Sequence, residues 1–320
     1  MPQSTDSSLL NRLQNQETLN FWLTNRIPRN LLTRLAGRVS RIENRRLARA
    51  LIAVWQWFAD DLRLDEAETT EFNSLRDCFT RRLRPGARPI DSRADVLVSP
   101  CDAVVGAHGR IEDGQLLQAK GMVYRLDELL GDADLARRHA GGRYVTLRLK
   151  SSMYHHFHAP FDGFISRLDC IPGEVFNVNP PALKRIEALF CRNQRAVVRM
   201  DSALGQLTLV PVAAVLVSSM RFAFAEPPPV TRRTGPYRQD LAIDVRRGQR
   251  LGHFEHGSTV IVLAGPGWQL RPELMNDETI RMGRPLMMMD RSKKCPGAMT
   301  GAIGTGALGG VLPALSVTET

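Results

Sequence analysis

Gln206-Leu207-Thr208-Leu209-Val210-Pro211-Val212-Ala213-Ala214-Val215-Leu216-Val217 is the stretch on which the fold class turns. It is a β-prone run rich in Val and Leu. Its apolar part, 209–217, is interrupted only by Pro211. It falls far short of the roughly 20 residues that a membrane-crossing helix needs. Shorter runs of the same texture occupy 96–98, 144–149, 196–200 and 259–263, with Gly, Pro and Asp clustered between them. That spacing predicts a mostly antiparallel β domain, sandwich-like or barrel-like. Residues 132–140 read as one short helix within it. Residues 226–238, with three consecutive prolines and Thr234-Gly235-Pro236, read as a long exposed loop.

N-terminal to this region the period changes from two to helical. Leu31, Leu35, Val39 and Ile42 recur at helical spacing, followed by Leu47, Leu51, Val54, Trp55, Phe58 and Leu62. Arginines from Arg29 to Arg49 are interleaved with them, and Phe21, Trp22, Trp55 and Trp57 add amphipathic aromatics. Two readings stay open for 19–64. One is a helix lying in a membrane interface. The other is a helix packed on its own core with a solvated basic face. The fold class expected is α+β, with N-terminal amphipathic helices on the antiparallel β core. The divisions are 1–70 (helical, membrane-associating), 71–290 (the β domain) and 291–320, a glycine-rich flexible tail.

The 320 residues carry a net charge of +10, which favours an anionic partner. Nucleic acid fits poorly: no paired Cys/His zinc pattern or aromatic RNA-binding signature occurs, and aromatics are only 6%. Five scattered cysteines argue against a disulfide framework and for a reducing compartment. The first twenty residues contain Asp6 and Glu17 and show no secretory signal.

Three segments carry chemistry. Tyr154-His155-His156-Phe157-His158-Ala159-Pro160 holds three of seven histidines. In an extended segment His156 and His158 share one face and His155 takes the other. Imidazoles so clustered serve as acid/base groups or metal ligands. No convergent Cys or carboxylate pattern supports a metal, and none is expected. Glu255-His256-Gly257-Ser258-Thr259 leads into the β run at 259–263. A glycine before a serine can adopt backbone conformations that let the hydroxyl attack the preceding carbonyl, given a base. Ser99-Pro100-Cys101-Asp102 places a carboxylate in a turn, where it can orient a histidine.

The order and wording of these pieces, from about residue 72 to 288, resemble the phosphatidylserine decarboxylase family. The pieces are Phe79 through Arg88-Pro89-Ile90, Ser99-Pro100-Cys101-Asp102, Gln118-Ala119-Lys120-Gly121, and the histidine block. They continue with Pro172-Gly173-Glu174-Val175-Phe176-Asn177-Val178-Asn179, Asn193-Gln194-Arg195, and Gly252-His253-Phe254 leading into Gly257-Ser258-Thr259. Each is common alone; the ordered set is specific. Ala103, Gln194, His256, Ala213 and Ser218 depart from the family wording. Asp102, His155, His158, Gly257 and Ser258 remain in place.

The resemblance implies a self-cleaving precursor. His158, held by Asp102, takes the proton of Ser258; the chain is cut between Gly257 and Ser258; and Ser258 becomes a covalent pyruvoyl cofactor that forms a Schiff base with the substrate amine. His155 matches the histidine assigned to decarboxylation. The implied substrate is phosphatidylserine and the product phosphatidylethanolamine. The implied partners are an anionic membrane surface, on the cytoplasmic side and peripherally, and the two cut pieces, 1–257 and 258–320, as a heterodimer; pairing of such heterodimers is left open, and nucleic acid is not expected. Two alternatives are kept: an inactive membrane-binding relative, which predicts an uncut chain, and a pyruvoyl decarboxylase of a soluble amino acid.

Overall fold

A computed structural model describes residues 37–59, 62–117, 123–183, 185–214, 220–231, 233–255 and 258–290. The expectations for 1–36 and for the glycine-rich tail lie outside these residues.

In chain order the strands begin with β1 (Val96–Val98), β2 (Ala103–Arg110), β3 (Gln115–Leu117), β4 (Val123–Arg125), β5 (Arg143–Leu149) and β6 (His156–His158). They continue with β7 (Gly163–Ile171), β8 (Arg195–Ser202), β9 (Gly205–Ala213), β10 (Met220–Phe222) and β11 (Tyr237–Val245). The last are β12 (Arg250–Phe254), β13 (Ser258–Ala264), β14 (Trp268–Leu270), β15 (Thr279–Ile280) and β16 (Pro285–Met289). Helices used below are α1 (Arg45–Phe58), α2 (Leu75–Phe79), α3 (Leu126–Leu130), α4 (Ala133–Arg138) and α5 (Leu189–Arg192).

Eight strands form one antiparallel sheet in the order β11-β7-β8-β9-β13-β5-β2-β15. The order has two ends, so the sheet is open and the barrel-like alternative is not realised. Period-two alternation sorts its side chains onto two cores. Val145, Leu147, Leu209, Val260 and Val262 face one core. Tyr144, Val210, Val212, Ile261 and Leu263 face the other. The first core is roofed by two three-stranded sheets, β1-β16-β14 and β10-β12-β6, through residues such as Leu97, Leu286, Phe157 and Phe254. The second is covered by α3, α4 and α5 through Leu129, Leu135 and Phe190. Strands such as β13, buried on both faces, therefore read as unbroken apolar runs.

Pro211 sits in the middle of β9, a position that proline ordinarily avoids because it has no N–H for the ladder. The pairing with β8 skips from Arg195–Val212 to Val198–Leu209, which passes over Pro211. The other edge of β9 stays paired with β13, with Pro211 opposite Val260.

The short helix expected at 132–140 is α4. Asp132 caps it by accepting from the Leu135 N–H at 2.9 Å. The described residues of the expected loop have no regular structure until β11 begins at Tyr237. Of the helical reading of 19–64, the described residues are helical over 37–40 and again in α1, with a break at 41–44 and no helix at 62–63; α1 is capped by Asn44, whose side chain accepts from the N–H groups of Arg46 and Leu47. The inner face of α1 buries Ala48 and Ile52, and Trp55 stacks on Phe79 at 5.7 Å between ring centroids. Its outer face leaves Val54 and Trp57 exposed, Trp57 at 76%. No described helix is long and apolar enough to cross a membrane.

Candidate active site

The histidine block runs along the edge strand β6 of the β10-β12-β6 sheet and is buried: His155, His156 and His158 are 0%, 1% and 7% exposed. The expected alternation holds. Tyr154 stacks on His156 at 4.8 Å and also meets His158, so residues 154, 156 and 158 share one face. On the opposite side the Phe79 ring lies 3.9 Å from that of His155, whose Nδ1 sits 2.7 Å from the Met153 carbonyl.

The tautomer of His158 follows from its neighbours. Nδ1 lies 2.9 Å from the Gly248 carbonyl, which only accepts, so Nδ1 carries the proton. Nε2 then offers a lone pair, and the Tyr154 hydroxyl donates to it at 3.1 Å. Burial pushes the proton affinity of His158 below that of an ordinary histidine, against the opposing pull of the Gly248 carbonyl and the Asp102 charge. The group is a neutral imidazole with its basic nitrogen at Nε2, the form a general base requires. Its neighbour His156 is a different kind of residue. It donates from Nε2 to the Thr80 carbonyl at 2.9 Å, and burial lowers it to about 3.

Asp102 stands in the turn after β1, and that turn is tied to β6 by the His158 N–H donating to the Pro100 carbonyl at 2.8 Å. The carboxylate itself, however, is engaged elsewhere. Arg88 forks onto it, with Nε at 2.9 and 3.0 Å from its two oxygens and Nη2 at 2.5 Å, and the Met282 N–H adds a fourth bond at 2.9 Å. Both ring nitrogens of His158 are occupied by other groups, so Asp102 acts on this imidazole through its charge and through the shared turn. Arg88 also meets Glu66 at 2.7 Å, so a nearly buried Glu66–Arg88–Asp102 relay underlies the site.

Gly257 lies outside the described residues, and of Ser258 only the backbone position is described. Ser258 heads β13 and pairs with Leu149 of β5 and Ala213 of β9. Just before it, Glu255 is 2% exposed and takes salt bridges from Arg41 at 2.9 Å, from Arg76 at 2.5 Å and from Arg221 at 3.5 Å. Sequence reading did not single out Glu255, Arg88 as the partner of Asp102, or Tyr154 as the partner of His158. The arginines on Glu255 come from three distant segments, and no local pattern announces them. Among the described residues, no group of three or more His, Cys, Asp or Glu is placed to hold a metal.

The family model described as phosphatidylserine decarboxylase matches residues 75–288. The chain belongs to the phosphatidylserine decarboxylase family. A phosphatidylserine decarboxylase proenzyme of Shewanella sp. (strain MR-4) is 36% identical over 249 residues, covering 74% of this chain and 84% of its own. The proenzyme of Shewanella baltica (strain OS155 / ATCC BAA-1091) is 37% identical over 251 residues, with the same coverage. That of Anaeromyxobacter sp. (strain K) is 38% identical over 268 residues, covering 81% of this chain and 94% of its own.

Of the departures from the family wording, His256 and Ser218 lie outside the described residues, and Ala103 and Gln194 are simply accommodated. Ala103 is wholly buried at the start of β2. In Asn193-Gln194-Arg195, the flanking residues are buried and structural. Asn193 bonds the Phe176 N–H and carbonyl and the Ala213 carbonyl, and Arg195 donates to the carbonyls of Leu129, Glu128, Cys191 and Asn193. Gln194 is the half-exposed member of the three and contributes its backbone N–H to the Glu174 carbonyl, a bond any residue but proline can make.

Proposed function

We propose that this chain is the precursor of a pyruvoyl-dependent enzyme that decarboxylates phosphatidylserine to phosphatidylethanolamine, cut by its own Ser258. Membership of the phosphatidylserine decarboxylase family over 75–288 carries the reading.

In the precursor, His158 Nε2 takes the proton of the Ser258 hydroxyl, and the oxygen attacks the Gly257 carbonyl. The peptide bond becomes an ester and the nitrogen a free amine. Loss of the Ser258 α-proton expels the Gly257 carboxylate and leaves dehydroalanine. Its enamine tautomerises to an imine, and water converts the imine to a ketone with release of ammonia. Asp102 favours the imidazolium that forms when His158 takes a proton, as the acid of a triad does. Tyr154 holds Nε2 until the serine hydroxyl claims it.

The site suits a pyruvoyl group at 258. That position heads a strand hydrogen-bonded on both sides, so the group would be fixed at a rigid end rather than on a loop. Such a group supplies an electrophilic carbonyl for the substrate amine and accepts the electrons released with carbon dioxide. His155, braced by Phe79 and the Met153 carbonyl, positions the substrate carboxylate or protonates the product carbon. The two products, 1–257 and 258–320, remain a heterodimer. The exposed Val54 and Trp57, with Arg46 and Arg49 on the same helix, seat the enzyme peripherally on the cytoplasmic face of an anionic bilayer.

Intact mass under denaturing conditions tests the proposal. The wild-type chain gives two species, the shorter with a blocked N-terminus, while Ser258→Ala gives one full-length mass. A single uncut wild-type chain sinks the proposal and favours the inactive membrane-binding relative.

A further inference from the structure

Next to the histidine block lies a cavity of about 230 Å³ lined by more cations than carboxylates. Its walls carry five cations, Arg63, Arg81, Arg88, Lys150 and Arg281, against the carboxylates of Glu66 and Asp102. Both carboxylates are already committed. Asp102 is held by Arg88, and Glu66 meets Arg63 at 2.5 Å, Arg88 at 2.7 Å and Arg281 at 3.5 Å.

Arg81 makes the imbalance specific. It is 4% exposed, and its two terminal nitrogens donate to the carbonyls of Cys78, Leu62 and Ser152. Carbonyls satisfy donors but carry no net charge. No carboxylate among the described residues lies within ion-pair distance of Arg81, and its Nε has no partner. The carboxylates whose charge reaches Arg81, Asp102 and Glu66, are ion-paired to Arg88 instead, and a buried guanidinium with no direct ion pair is costly unless an anion completes it.

The position of the cavity suits a substrate. Met153 and Tyr154, the residues immediately before His155, line it. So does Lys150, which follows the Leu149 that pairs with Ser258. In a phosphoserine headgroup only Cβ and the ester oxygen separate the reacting Cα from phosphorus.

We propose that this cavity is the subsite for the headgroup phosphodiester, an inference that rests on the phosphatidylserine reading. Arg81 supplies the buried charge, and Lys150 and Arg281 close over the anion from the more exposed rim. The site selects a phosphorylated serine over free serine because the amino acid alone leaves Arg81 without its anion.

Kinetics of the processed enzyme on phosphatidylserine in neutral mixed micelles, at fixed ionic strength, test this. The variants are Lys150→Glu and Arg281→Glu, with Arg138→Glu as the same charge change on exposed α4. Competition by glycerophosphoserine, serine and inorganic phosphate is read beside them. The two cavity variants should raise KM about tenfold with kcat within about twofold, the pattern of lost uniform binding. They should weaken glycerophosphoserine inhibition in parallel, while Arg138→Glu moves neither. Unchanged KM and inhibition in the cavity variants would overturn the assignment, as would an equal rise in all three variants. Inorganic phosphate competing as strongly as glycerophosphoserine would make the cavity a free-phosphate site and overturn the headgroup assignment. Calorimetric titration of glycerophosphoserine into uncut Ser258→Ala, with and without Arg281→Glu, separates the two ideas. Binding that depends on Arg281 supports the subsite even where wild type makes no carbon dioxide, and no binding beside an active wild type removes the subsite alone.

Discussion

Lowering the pH of the uncut Ser258→Ala chain from about 7.5 to about 5 should cost it a large part of its stability through two buried imidazoles. His139 is wholly buried with Nε2 on the Thr208 hydroxyl, and burial holds it to about 4. His156, between the two histidines assigned to chemistry, is held to about 3. In the unfolded chain both titrate near 6.5. The folded values are the lower ones, so the unfolded chain binds more protons between these limits. The stabilisation is complete above about pH 6.5 and is lost as pH falls toward the folded values. At about pH 5 each histidine has forfeited roughly 2 kcal/mol, about 4 kcal/mol together, against the 5–15 kcal/mol typical of a domain. The carboxylates with lowered values, such as Glu66 and Asp132, start from 4.5 and 3.8, so their losses come at lower pH. Equilibrium urea unfolding followed by tryptophan fluorescence should show the midpoint falling by about 1 M over this range. His253, lowered to about 4, and His158, lowered by burial, lose stabilisation in the same direction, so His156→Gln should show a smaller pH dependence without abolishing it. A midpoint that stays flat down to pH 5 would refute the neutral, desolvated state of these histidines, and with it the argument that the block is poised for base catalysis.

Replacing Arg88 by Met leaves Asp102 and Glu66 nearly buried without their shared guanidinium. A loss of about 3–5 kcal/mol in urea unfolding is expected, with self-cleavage slowed; a loss below 1 kcal/mol would show that the relay is unimportant. Two further variants should move the acid limb of the self-cleavage rate in opposite directions. Asp102→Asn removes a charge that favours the imidazolium and lowers the limb, whereas Tyr154→Phe removes a donor to the neutral ring and raises it. Quantifying cut and uncut chain by gel across the pH range checks both, and movement in the same direction would contradict the hydrogen-bond assignment at His158.

Much of the architecture was legible because its signals are local. The unbroken apolar run at 260–264 is the two-sided burial of β13, and the Asp132 cap marks α4 within three residues of sequence. The period-two spacing of His156 and His158 correctly separated them from His155. What was not legible depends on distance. Arg88 bonds a carboxylate 14 residues away, and Arg41 and Arg76 bond Glu255 across 214 and 179 residues. The segment Phe79-Thr80-Arg81 was visible only as a block of family wording. The structure shows its three physical tasks: a ring against His155, a carbonyl for His156 and a buried charge on the cavity. Likewise the barrel-like alternative failed because nothing in alternation alone says whether the two end strands meet.

The placement of β13 governs the order of events in the life of the chain. In the proposed cut between 257 and 258, both of its neighbours, β5 and β9, fall in the N-terminal piece, and β15 and β16 of the C-terminal piece pair with β2 and β1. A strand with partners on both sides reaches its place by folding as part of one continuous chain, when its encounter with the sheet is intramolecular. With the 257–258 bond broken, the same assembly from unfolded pieces would become a second-order search slowed by dilution. The proposed cleavage would then act as a ratchet: the chain would have to finish folding before making its cofactor, and each cut molecule that later unfolds would be lost rather than recycled.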